Sequence, residues 1–472
     1  MVAAPAIKPL VQETESLRRA QISDDAIEAW HATAPADTAD FAGDCIRYSR
    51  FWQTSAQILA RLPAKPARDA LQAEAAEQIK RVAREARTAF LRAHAMVVYD
   101  KLTRNRSKFV RVENLIYDAA ALVPGLTPTQ AQVDIESALM QRDKDGFEID
   151  QGIFVSSVLA NAETGMHLCH AMLLPRPEAI ERLPEFRGSG RLDLGAAEIF
   201  RKGNAAYVIQ KNPRHLNAED DTTIDAAEIA VDIAILDPDT QIGVLRGDPV
   251  QGGKYDGRRM LGSGINLTHL YYGKIPFIWY LQRDLGIVNK FYRGVARENM
   301  VPDDVHGQTI EKPWISVVEE FAIGGHCQYL LTMDYVLAAR GAFLSLPARK
   351  EGIIPGAANM RLPRFTGERI ARQAIMYQRR LECDSPEGML ICDEIVDPGD
   401  MDAAIDRVVE NFTGSGVVSS ASNRRAMRVS QEPLDLFRRY FATYALEQAY
   451  CHFSPALISN LEMHWNAKSR KL

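Results

Sequence analysis

The amino-acid sequence predicts an α/β fold in its second half, preceded by an all-helical N-terminal domain and followed by C-terminal helices. Residues 13–172 carry apolar side chains at helical spacing and contain few strand signals. Residues 197–398 alternate short β-branched runs with helical stretches, as α/β domains do. Residues 433–465 return to helical spacing, with an aromatic stripe more typical of a core or subunit interface than of a cofactor site. These observations predict two domains, at 1–190 and 191–472.

Composition excludes several classes of function. The chain has 472 residues, which is long for one compact domain. Its net charge of −5 gives no support to a nucleic-acid or anionic-membrane partner. Residues 1–15 lack the charged and apolar segments of a signal peptide, and no apolar run reaches the roughly 20 residues of a membrane-spanning helix. Dispersed cysteines predict reduced thiols in a cytoplasmic protein, and they are Cys45, Cys169, Cys327, Cys383, Cys392 and Cys451.

Three stretches at or before the predicted domain boundary require separate interpretation. Residues 101–111 are basic, and we favour a solvated helix face or an inter-subunit contact over a nucleic-acid arm. His167, Cys169 and His170 could suggest a metal site, but no second ligand pair has finger-like spacing, so packing is the better interpretation. Residues 175–194 are rich in Pro, Arg, Glu and Gly, which predicts a linker.

The α/β part begins with a predicted β-hairpin. Residues 197–209 alternate apolar and polar side chains around Gly203-Asn204. A helix is predicted over residues 223–236, and a short strand over residues 242–246.

A glycine pair connects the next predicted strand and helix. Gly324 and Gly325 stand between an apolar β-branched run at residues 314–318 and a helical pattern over residues 327–333. Without a Cβ, such a turn lets the backbone come close to a ligand, and the helix start points unpaired N–H groups at it. The pattern therefore predicts an oxyanion hole, in which N–H groups stabilise negative charge on a carbonyl oxygen.

The order of motifs around this turn resembles that of the crotonase (enoyl-CoA hydratase/isomerase) superfamily. The resemblance covers about residues 194–398. It implies a fold of repeated ββα units, an acyl-CoA ligand, assembly as homotrimers or homohexamers, and an oxyanion hole made by the N–H groups of Ile265 and Gly325. The motifs that carry it are Pro213-Arg214-His215-Leu216-Asn217-Ala218, Gly262-Ser263-Gly264-Ile265-Asn266-Leu267, Lys312-Pro313, Ala322-Ile323-Gly324-Gly325, residues 334–338 and Ile354-Pro355-Gly356.

Two departures from the superfamily pattern are informative. Its hydratases use two glutamates, as base and acid, to add water across an enoyl thioester. This chain has Gln328 at the first position and Ala348 at the second. An amide and a methyl group do not exchange protons near neutral pH. Oxyanion turns without these carboxylates predict thioester enolate chemistry without hydration.

Within the superfamily, the chain resembles a branch of cofactor-independent dioxygenases. These enzymes oxidise an arylacetyl-CoA with O2 to an arylglyoxylate and free CoA. Shared features include the long helical N-terminal extension, Gln328 after the glycine turn, and Glu351-Gly352 before the Ile-Pro-Gly loop. The resemblance implies no metal, flavin or haem; CoA is part of the substrate, and O2 is the co-substrate.

The resemblance to this branch also implies roles for individual residues. Ile265, Gly325 and Gln328 would form the catalytic group. Glu219 and Arg283 would bind the ring hydroxyls of the substrate. Further substrate contacts would come from Arg214, Leu216, Ala218 and Ser263. A small apolar pocket for O2 would be lined by Leu267, Ile353 and Ile354.

Several alternatives stay open at this point. Glu219 could be only a helix N-terminal charge, and Arg283 could form a surface ion pair with Asp284. Leu267 and Ile353 could be ordinary core residues. His326 is a weak candidate for a general base, and the sequence identifies no base for the α-proton. The alternative functions are an acyl-CoA hydrolase or isomerase that uses the same enolate, and a non-catalytic CoA-binding or interaction protein.

Overall fold

A computed structural model describes most of the chain as two compact units. The domain boundary near residue 190 stays a prediction. Residues 11–36 and 38–472 are described, with side chains from residue 14 onward. The first unit contains the chain up to Leu168 with residues 276–278 and 441–453, and the second contains residues 169–275, 279–440 and 454–472.

The first unit is built from helices, which confirms the predicted helical N-terminal region. Its longest helix, α4, begins with a capping box: Asp69 accepts from the Gln72 backbone N–H at 2.8 Å, and the Gln72 side chain accepts from the Asp69 N–H. This helix packs against α3 and α7. The helices are α1 (Val11–Arg19), α2 (Asp24–Ala32), α3 (Phe41–Leu59), α4 (Ala70–Leu102), α5 (Val112–Leu122), α6 (Gln130–Ser137), α7 (Ile149–Ala160) and the beginning of α8 (Ala162–Leu173).

The basic stretch at residues 101–111 lies mostly beyond the end of α4, so the predicted helix face is wrong. The chain turns there through left-handed backbone at Arg104 and Arg106. Arg106 forms ion pairs with Asp100 and Glu163, which neutralise part of the basic character. His167 accepts from the Tyr99 hydroxyl at 2.7 Å, as the packing interpretation expects.

The second unit contains a seven-stranded sheet with the order β1-β2-β3-β4-β7-β9-β12. Strands β1 to β3 pair antiparallel, and the pairs from β3 to β12 are parallel. A three-stranded sheet has the order β11-β10-β8, and β5 pairs with β6. The strands are β1 (Arg191–Asp193), β2 (Ala197–Lys202), β3 (Ala205–Gln210), β4 (Ile242–Gly247), β5 (Val295–Ala296), β6 (Thr309–Ile310), β7 (Trp314–Val318), β8 (Phe321–Ile323), β9 (Tyr335–Ala339), β10 (Phe343–Ser345), β11 (Leu381–Glu382) and β12 (Glu394–Val396).

Helices follow pairs of strands in the second unit, as a ββα fold requires. In β7–β8–α14 and β9–β10–α15, the first strand lies in the large sheet and the second in the small sheet. Because α14 and α15 follow strands of the same small sheet, this arrangement brings their N-terminal turns to one side of it. The helices that follow α8 along the chain are α9 (Pro177–Ser189), α10 (Ile224–Leu236), α11 (Leu267–Tyr271), α12 (Ile278–Gln282), α13 (Val288–Arg293), α14 (Gly325–Leu330), α15 (Ala348–Glu351), α16 (Ala358–Met376), α17 (Met401–Thr413), α18 (Val418–Gln431), α19 (Leu434–His452) and α20 (Pro455–Trp465).

Most elements predicted in the α/β part are confirmed. The hairpin is β2–β3, the helix is α10, and the two predicted strands are β4 and β7. The helix after the glycine pair begins at Gly325 instead of Cys327, because Gly324, at φ +55°, already turns the chain. The C-terminal helical tail corresponds to α19 and α20.

The predicted linker at residues 175–194 is wrong, because most of it is α9. Pro177 occupies the first helical turn, where its missing N–H costs no hydrogen bond. Ala179, Leu183 and Phe186 form an apolar stripe at helical spacing, and α9 packs with it against the sheet unit. Proline content therefore misled the assignment, and burial of this stripe decided the structure.

Two expectations concern targeting. No helix within residues 11–36 and 38–472 is long and apolar enough to span a membrane. The expected lack of a signal peptide rests on residues 1–15, of which residues 1–10 lie outside the described part.

Candidate active site

Two glycine turns meet at the candidate site. Gly264 has φ +84° and Gly324 has φ +55°, both in the left-handed region that favours glycine. A Cβ placed on Gly264 would lie 3.0 Å from the Ile323 carbonyl oxygen and 3.3 Å from the Gly325 nitrogen. The Ile323 N–H also donates to the Gly262 carbonyl at 3.1 Å. The glycines therefore allow a close backbone contact that side chains would prevent.

Each turn is followed by a backbone N–H that donates no hydrogen bond within the described part of the chain. Among the described residues, no acceptor takes the N–H of Ile265 or of Gly325. The neighbouring amides are used, since Gly264 donates to His326 and Gly324 donates to the Ser345 carbonyl at 2.8 Å. Two donors on touching turns can stabilise one developing oxyanion. The structure thus brings together Ile265 and Gly325, which were predicted to act as a pair.

The first turn is held by the preceding loop. The Ser263 N–H donates to the Leu216 carbonyl at 3.1 Å, and the Glu219 N–H donates to the Gly264 carbonyl at 2.8 Å. Ala218 is buried, whereas Arg214 is exposed on a short 3₁₀ turn. The structure therefore brings Leu216, Ala218 and Ser263 close together, with Arg214 at the rim. Their substrate contacts stay predictions.

Arg283 lies at the centre of a buried polar cluster. Its Nε donates to Glu219 Oε1 at 2.9 Å, one Nη donates to Gln328 Oε1 at 2.8 Å, and the other donates to the Gly325 carbonyl at 2.8 Å. It also pairs with Asp284 at 2.9 Å. Burial alone would lower the pKa of Arg283, but the combined interactions with Glu219, Tyr329 and Asp284 outweigh it, so the pKa lies above its ordinary value.

The position of Arg283 rules out one alternative. The side chain is 3% exposed, so the pair with Asp284 is not a surface ion pair. Arg283 begins a π-helical turn between α12 and α13, a local irregularity that is frequent at functional sites.

Glu219 presents one carboxylate oxygen to the protein and another to the glycine turn. Oε1 accepts from Arg283 and from the Tyr329 hydroxyl, the latter at 2.5 Å. Oε2 is buried, and no donor within the described residues bonds to it. A Cβ placed on Gly325 would lie 2.3 Å from this oxygen. Burial opposes its ionisation, but the charge of Arg283 holds the pKa of Glu219 below its ordinary value. Glu219 is therefore an ionised acceptor beside Gly325, and it lies well before the start of α10.

His326 connects the two turns. Its Nδ1 accepts from the Gly264 N–H at 3.1 Å, so Nε2 carries the proton and donates to Gln210 Oε1 at 3.0 Å. Burial lowers the pKa of His326 to about 4, which keeps the ring neutral. With its basic nitrogen already used, His326 braces the oxyanion turns, and this arrangement argues against its use as a general base.

Two further residues of the cluster escaped sequence analysis. Gln210 ends β3, and its side-chain amide donates to the Tyr329 hydroxyl at 3.3 Å. This contact completes a chain of hydrogen bonds that runs from Gly264 to His326, Gln210, Tyr329 and finally Glu219. Tyr329 also lies under the Arg283 guanidinium, 4.7 Å from ring centre to Cζ. Tyr329 stands four residues after Gly325, on the same face of α14, which is a signal that could have identified it.

The two positions of the missing glutamates lie in this region. Gln328 is buried and its Oε1 accepts from Arg283, and a Cβ on Gly356 would lie 2.4 Å from that oxygen. Ala348 is buried and begins α15. One helical turn later, Glu351 ends the same helix, and its Oε1 lies 4.0 Å from the Cβ position of Gly324. Burial raises the pKa of Glu351 to about 7.

The predicted oxygen pocket is less defined than the oxyanion turns. Leu267 begins α11, two residues after Ile265, and Ile353 and Ile354 follow α15. All three side chains are half-buried, so they are not ordinary core residues. Their assignment to an O2 pocket stays a prediction.

One group of side chains within the described residues has the spacing of metal ligands. Asp220, Asp221 and His269 lie close enough to share an ion. However, the Asp220 carboxylate already accepts from Asn212, Asn266 and Thr222. His269 donates to Asp221 at 2.7 Å. The group is accounted for by hydrogen bonds that tie the 212–220 loop to the start of α11.

Comparisons with known proteins found similar sequences and structures. The family model described as enoyl-CoA hydratase/isomerase matches residues 289–429. The (3,5-dihydroxyphenyl)acetyl-CoA 1,2-dioxygenase of Amycolatopsis orientalis is 45% identical over 364 residues, which are 77% of this chain and 82% of that protein. The carnitinyl-CoA dehydratase of Salmonella typhi is 24% identical over 140 residues, 29% of this chain and 54% of that protein. The crystal structure of carnitinyl-CoA hydratase from Mycobacterium avium is 19% identical, with a TM-score of 0.47 over 59% of this chain and 98% of that chain.

Proposed function

The chain belongs to the crotonase superfamily, in the family of the arylacetyl-CoA dioxygenase to which it is 45% identical, and from this premise we propose its reaction. It oxidises (3,5-dihydroxyphenyl)acetyl-CoA, or a similar arylacetyl-CoA, with O2 to an arylglyoxylate and free CoA. The observation that carries this proposal is the pair of available amides at Ile265 and Gly325 beside a buried Glu219–Arg283 pair, with no glutamate at position 328 or 348.

The proposed binding mode follows from the charges of the site. The thioester oxygen lies between the N–H groups of Ile265 and Gly325. A ring hydroxyl donates to Glu219 Oε2, whose lone pairs meet no protein donor in the described part of the chain. Arg283 holds this carboxylate ionised and in place. The 213–218 loop contacts the CoA part, as the motif resemblance implies.

The chemistry starts with loss of a proton from Cα. The electron pair of the C–H bond enters an enolate, and its charge moves onto the thioester oxygen, where each donor is worth about 2.7–4 kcal/mol in other enzymes. The enolate gives one electron to O2, and the two radicals combine at Cα as a peroxide. The peroxide attacks the thioester carbon and expels CoA. Cleavage of the O–O bond with loss of the second Cα hydrogen leaves the α-keto acid. The two methylene hydrogens end as protons on the acid and on the CoA thiol.

Independence from cofactors is part of the proposal. O2 has a triplet ground state and ordinarily needs a one-electron partner such as iron or flavin. An electron-rich enolate can supply that electron, with Leu267, Ile353 and Ile354 as the proposed lining of the O2 pocket. Assembly as homotrimers or homohexamers stays a prediction, which light scattering would check. A cytoplasmic location also stays a prediction.

Labelling with 18O2 tests the reaction. Protein dialysed against a chelator, and shown by elemental analysis and absorbance to lack metal and flavin, should consume O2 at an unchanged rate. Its arylglyoxylate should carry two labelled oxygens, because both atoms of one O2 remain in the product. Activity that vanishes on chelation and returns with iron, or a product with one labelled oxygen, would contradict the mechanism. A hydrolase would instead release CoA without O2, whereas an isomerase or a binding protein would do neither.

A second expected result is the lack of enoyl-CoA hydratase activity. Gln328 and Ala348 cannot exchange protons, and hydration needs two groups that do. Crotonyl-CoA absorbance should therefore stay constant with this protein while an authentic hydratase, assayed in parallel, consumes the substrate. Turnover at the usual enzymatic rates of about 1 to 10³ s⁻¹ would show that the residues are misassigned.

A further inference from the structure

The proposed reaction requires a base for the α-proton, and the residues around the oxyanion turns differ in their ability to serve. Glu219 is held ionised by Arg283 and Tyr329, which makes it a weak base. The basic nitrogen of His326 already accepts from Gly264. The side-chain amide of Gln328 is too weakly basic to accept a proton near neutral pH, and Asp284 is paired with Arg283. Each of these groups is committed to another contact or is too weakly basic.

Glu351 differs from all of them. It is 6% exposed, and its carboxylate forms no ion pair within the described part of the chain. Its Oε1 lies 4.0 Å from the Cβ position of Gly324, and that same position lies 3.4 Å from the Gly264 Cα. The carboxylate therefore lies beside the Gly324 turn, on the side where that turn meets Gly264.

The backbone position of Glu351 also explains its access to the site. It ends the four-residue helix α15, one helical turn after Ala348, the position where hydratases carry a glutamate. Residues three apart on a helix lie on the same face. A carboxylate displaced by one turn can thus reach the same substrate from a different point of that face.

We propose that Glu351 is the general base that removes the α-proton of the acyl-CoA thioester. The inference rests on the proposed function. The carboxylate takes one proton from Cα, and the electron pair of the broken C–H bond becomes part of the enolate. Charge passes from Glu351 to the thioester oxygen at the N–H groups of Ile265 and Gly325, so no oxidant is needed at this step.

The titration of the two carboxylates agrees with this division of roles. Burial raises the pKa of Glu351 to about 7, and no charged neighbour in the described part of the chain contributes to the shift. The pKa of Glu219 is instead held below its ordinary value. When the surroundings shift the pKa values of two carboxylates in opposite directions, the two groups usually have different roles in catalysis. A general base works best when its pKa is near the working pH.

The central test replaces Glu351→Gln, which keeps the shape and removes the basicity. We expect O2 consumption with (3,5-dihydroxyphenyl)acetyl-CoA to fall about 10²- to 10⁴-fold, the usual contribution of a general base. The Kd of a non-cleavable thioester analogue and the Tm should change little. A matched control is Lys350→Gln, an exposed residue of the same helix, which should keep wild-type turnover.

The pH profile separates a base from a structural residue. In the wild type, kcat/KM should rise with pH and level off above about 7, because Glu351 must be deprotonated to act. The remaining activity of Glu351→Gln should lack this acidic limb. Glu351→Asp keeps a carboxylate but shortens the side chain, so this variant should retain the acidic limb of the pH profile at a lower kcat. It also tests the role of residue 351 as the base if Glu351→Gln does not fold.

Specific outcomes would overturn the inference. Glu351→Gln that keeps more than about a tenth of wild-type turnover would show that the base lies elsewhere, since the expected loss is larger. Persistence of the acidic limb in that variant would show the same. A wild type that consumes no O2 would instead overturn the proposed function, and the inference with it.

Discussion

Replacement of Gly325 by alanine should lower turnover about 10²- to 10³-fold, the usual cost of losing one oxyanion donor. A Cβ at this position would lie 2.3 Å from Glu219 Oε2 and 2.8 Å from an Arg283 Nη. Both groups are buried and tied to Tyr329 and Gln328, so they cannot give way without moving the cluster. The amide of residue 325 would then shift from its place opposite Ile265. The loss should appear in kcat for O2 consumption.

The control for this variant is Gly188→Ala. Gly188 lies in α9, and a Cβ there meets no heavy atom within 4 Å. Alanine also favours the helix by about 0.8–1 kcal/mol over glycine, so stability should not fall. Wild-type turnover in Gly325→Ala, with the protein folded, would show that the cluster accommodates a Cβ without displacing this N–H, which would contradict the expected loss.

Replacement of Arg283 by alanine should destabilise the fold by about 3–5 kcal/mol, as the loss of one partner from a buried ion pair does. The guanidinium neutralises Glu219 and Asp284 and bonds to Gln328, and all of these side chains are buried. Removing it takes away the guanidinium that both buried carboxylates contact. Denaturant unfolding near pH 7 measures the change. Arg182→Ala is the matched control, because its pair with Glu185 is exposed and should be worth less than about 1 kcal/mol.

The stability deficit of Arg283→Ala should depend on pH in a defined direction. Because the folded pKa of Glu219 lies below its unfolded value, the pair contributes stability above that unfolded value, about 4.3, and loses it as pH falls. The deficit should therefore keep its full size from pH 7 down to about 4.3 and narrow as the pH falls further toward the folded pKa of Glu219. A deficit that stays constant would show that the loss comes from packing alone.

Substrate choice should change together with stability. If Glu219 and Arg283 recognise ring hydroxyls, the folded fraction of Arg283→Ala should lose more activity on the dihydroxylated thioester than on phenylacetyl-CoA. A charge-assisted hydrogen bond is worth about 1.5–3 kcal/mol, so discrimination should fall roughly ten- to a hundred-fold. Equal losses on both substrates would assign Arg283 a purely structural role.

Local sequence determined the framework of the site. The two turns that touch need glycine at positions 264, 324 and 325. The short strands and helices around them follow from the spacing of apolar residues. For this reason β7, α10 and the hairpin β2–β3 agree with expectation. The pairing of Ile265 with Gly325 was implied by the resemblance to the crotonase superfamily, and the structure brings the two turns together. Residues 175–194 have the composition of a linker but form α9, because apolar contacts with residues far along the chain stabilise this helix.

Tertiary structure alone decided the electrostatics. Glu219 and Arg283 are 64 positions apart, and Gln210 and His326 are 116 apart, so no local pattern announces either contact. Burial and the charge of a partner then shift the pKa values of two glutamates in opposite directions. Arg283 lowers the pKa of Glu219, and desolvation raises the pKa of Glu351. The sequence by itself therefore determined where two glycine turns can meet. Long-range packing determined which carboxylate has its pKa lowered by a partner charge and which has its pKa raised by burial.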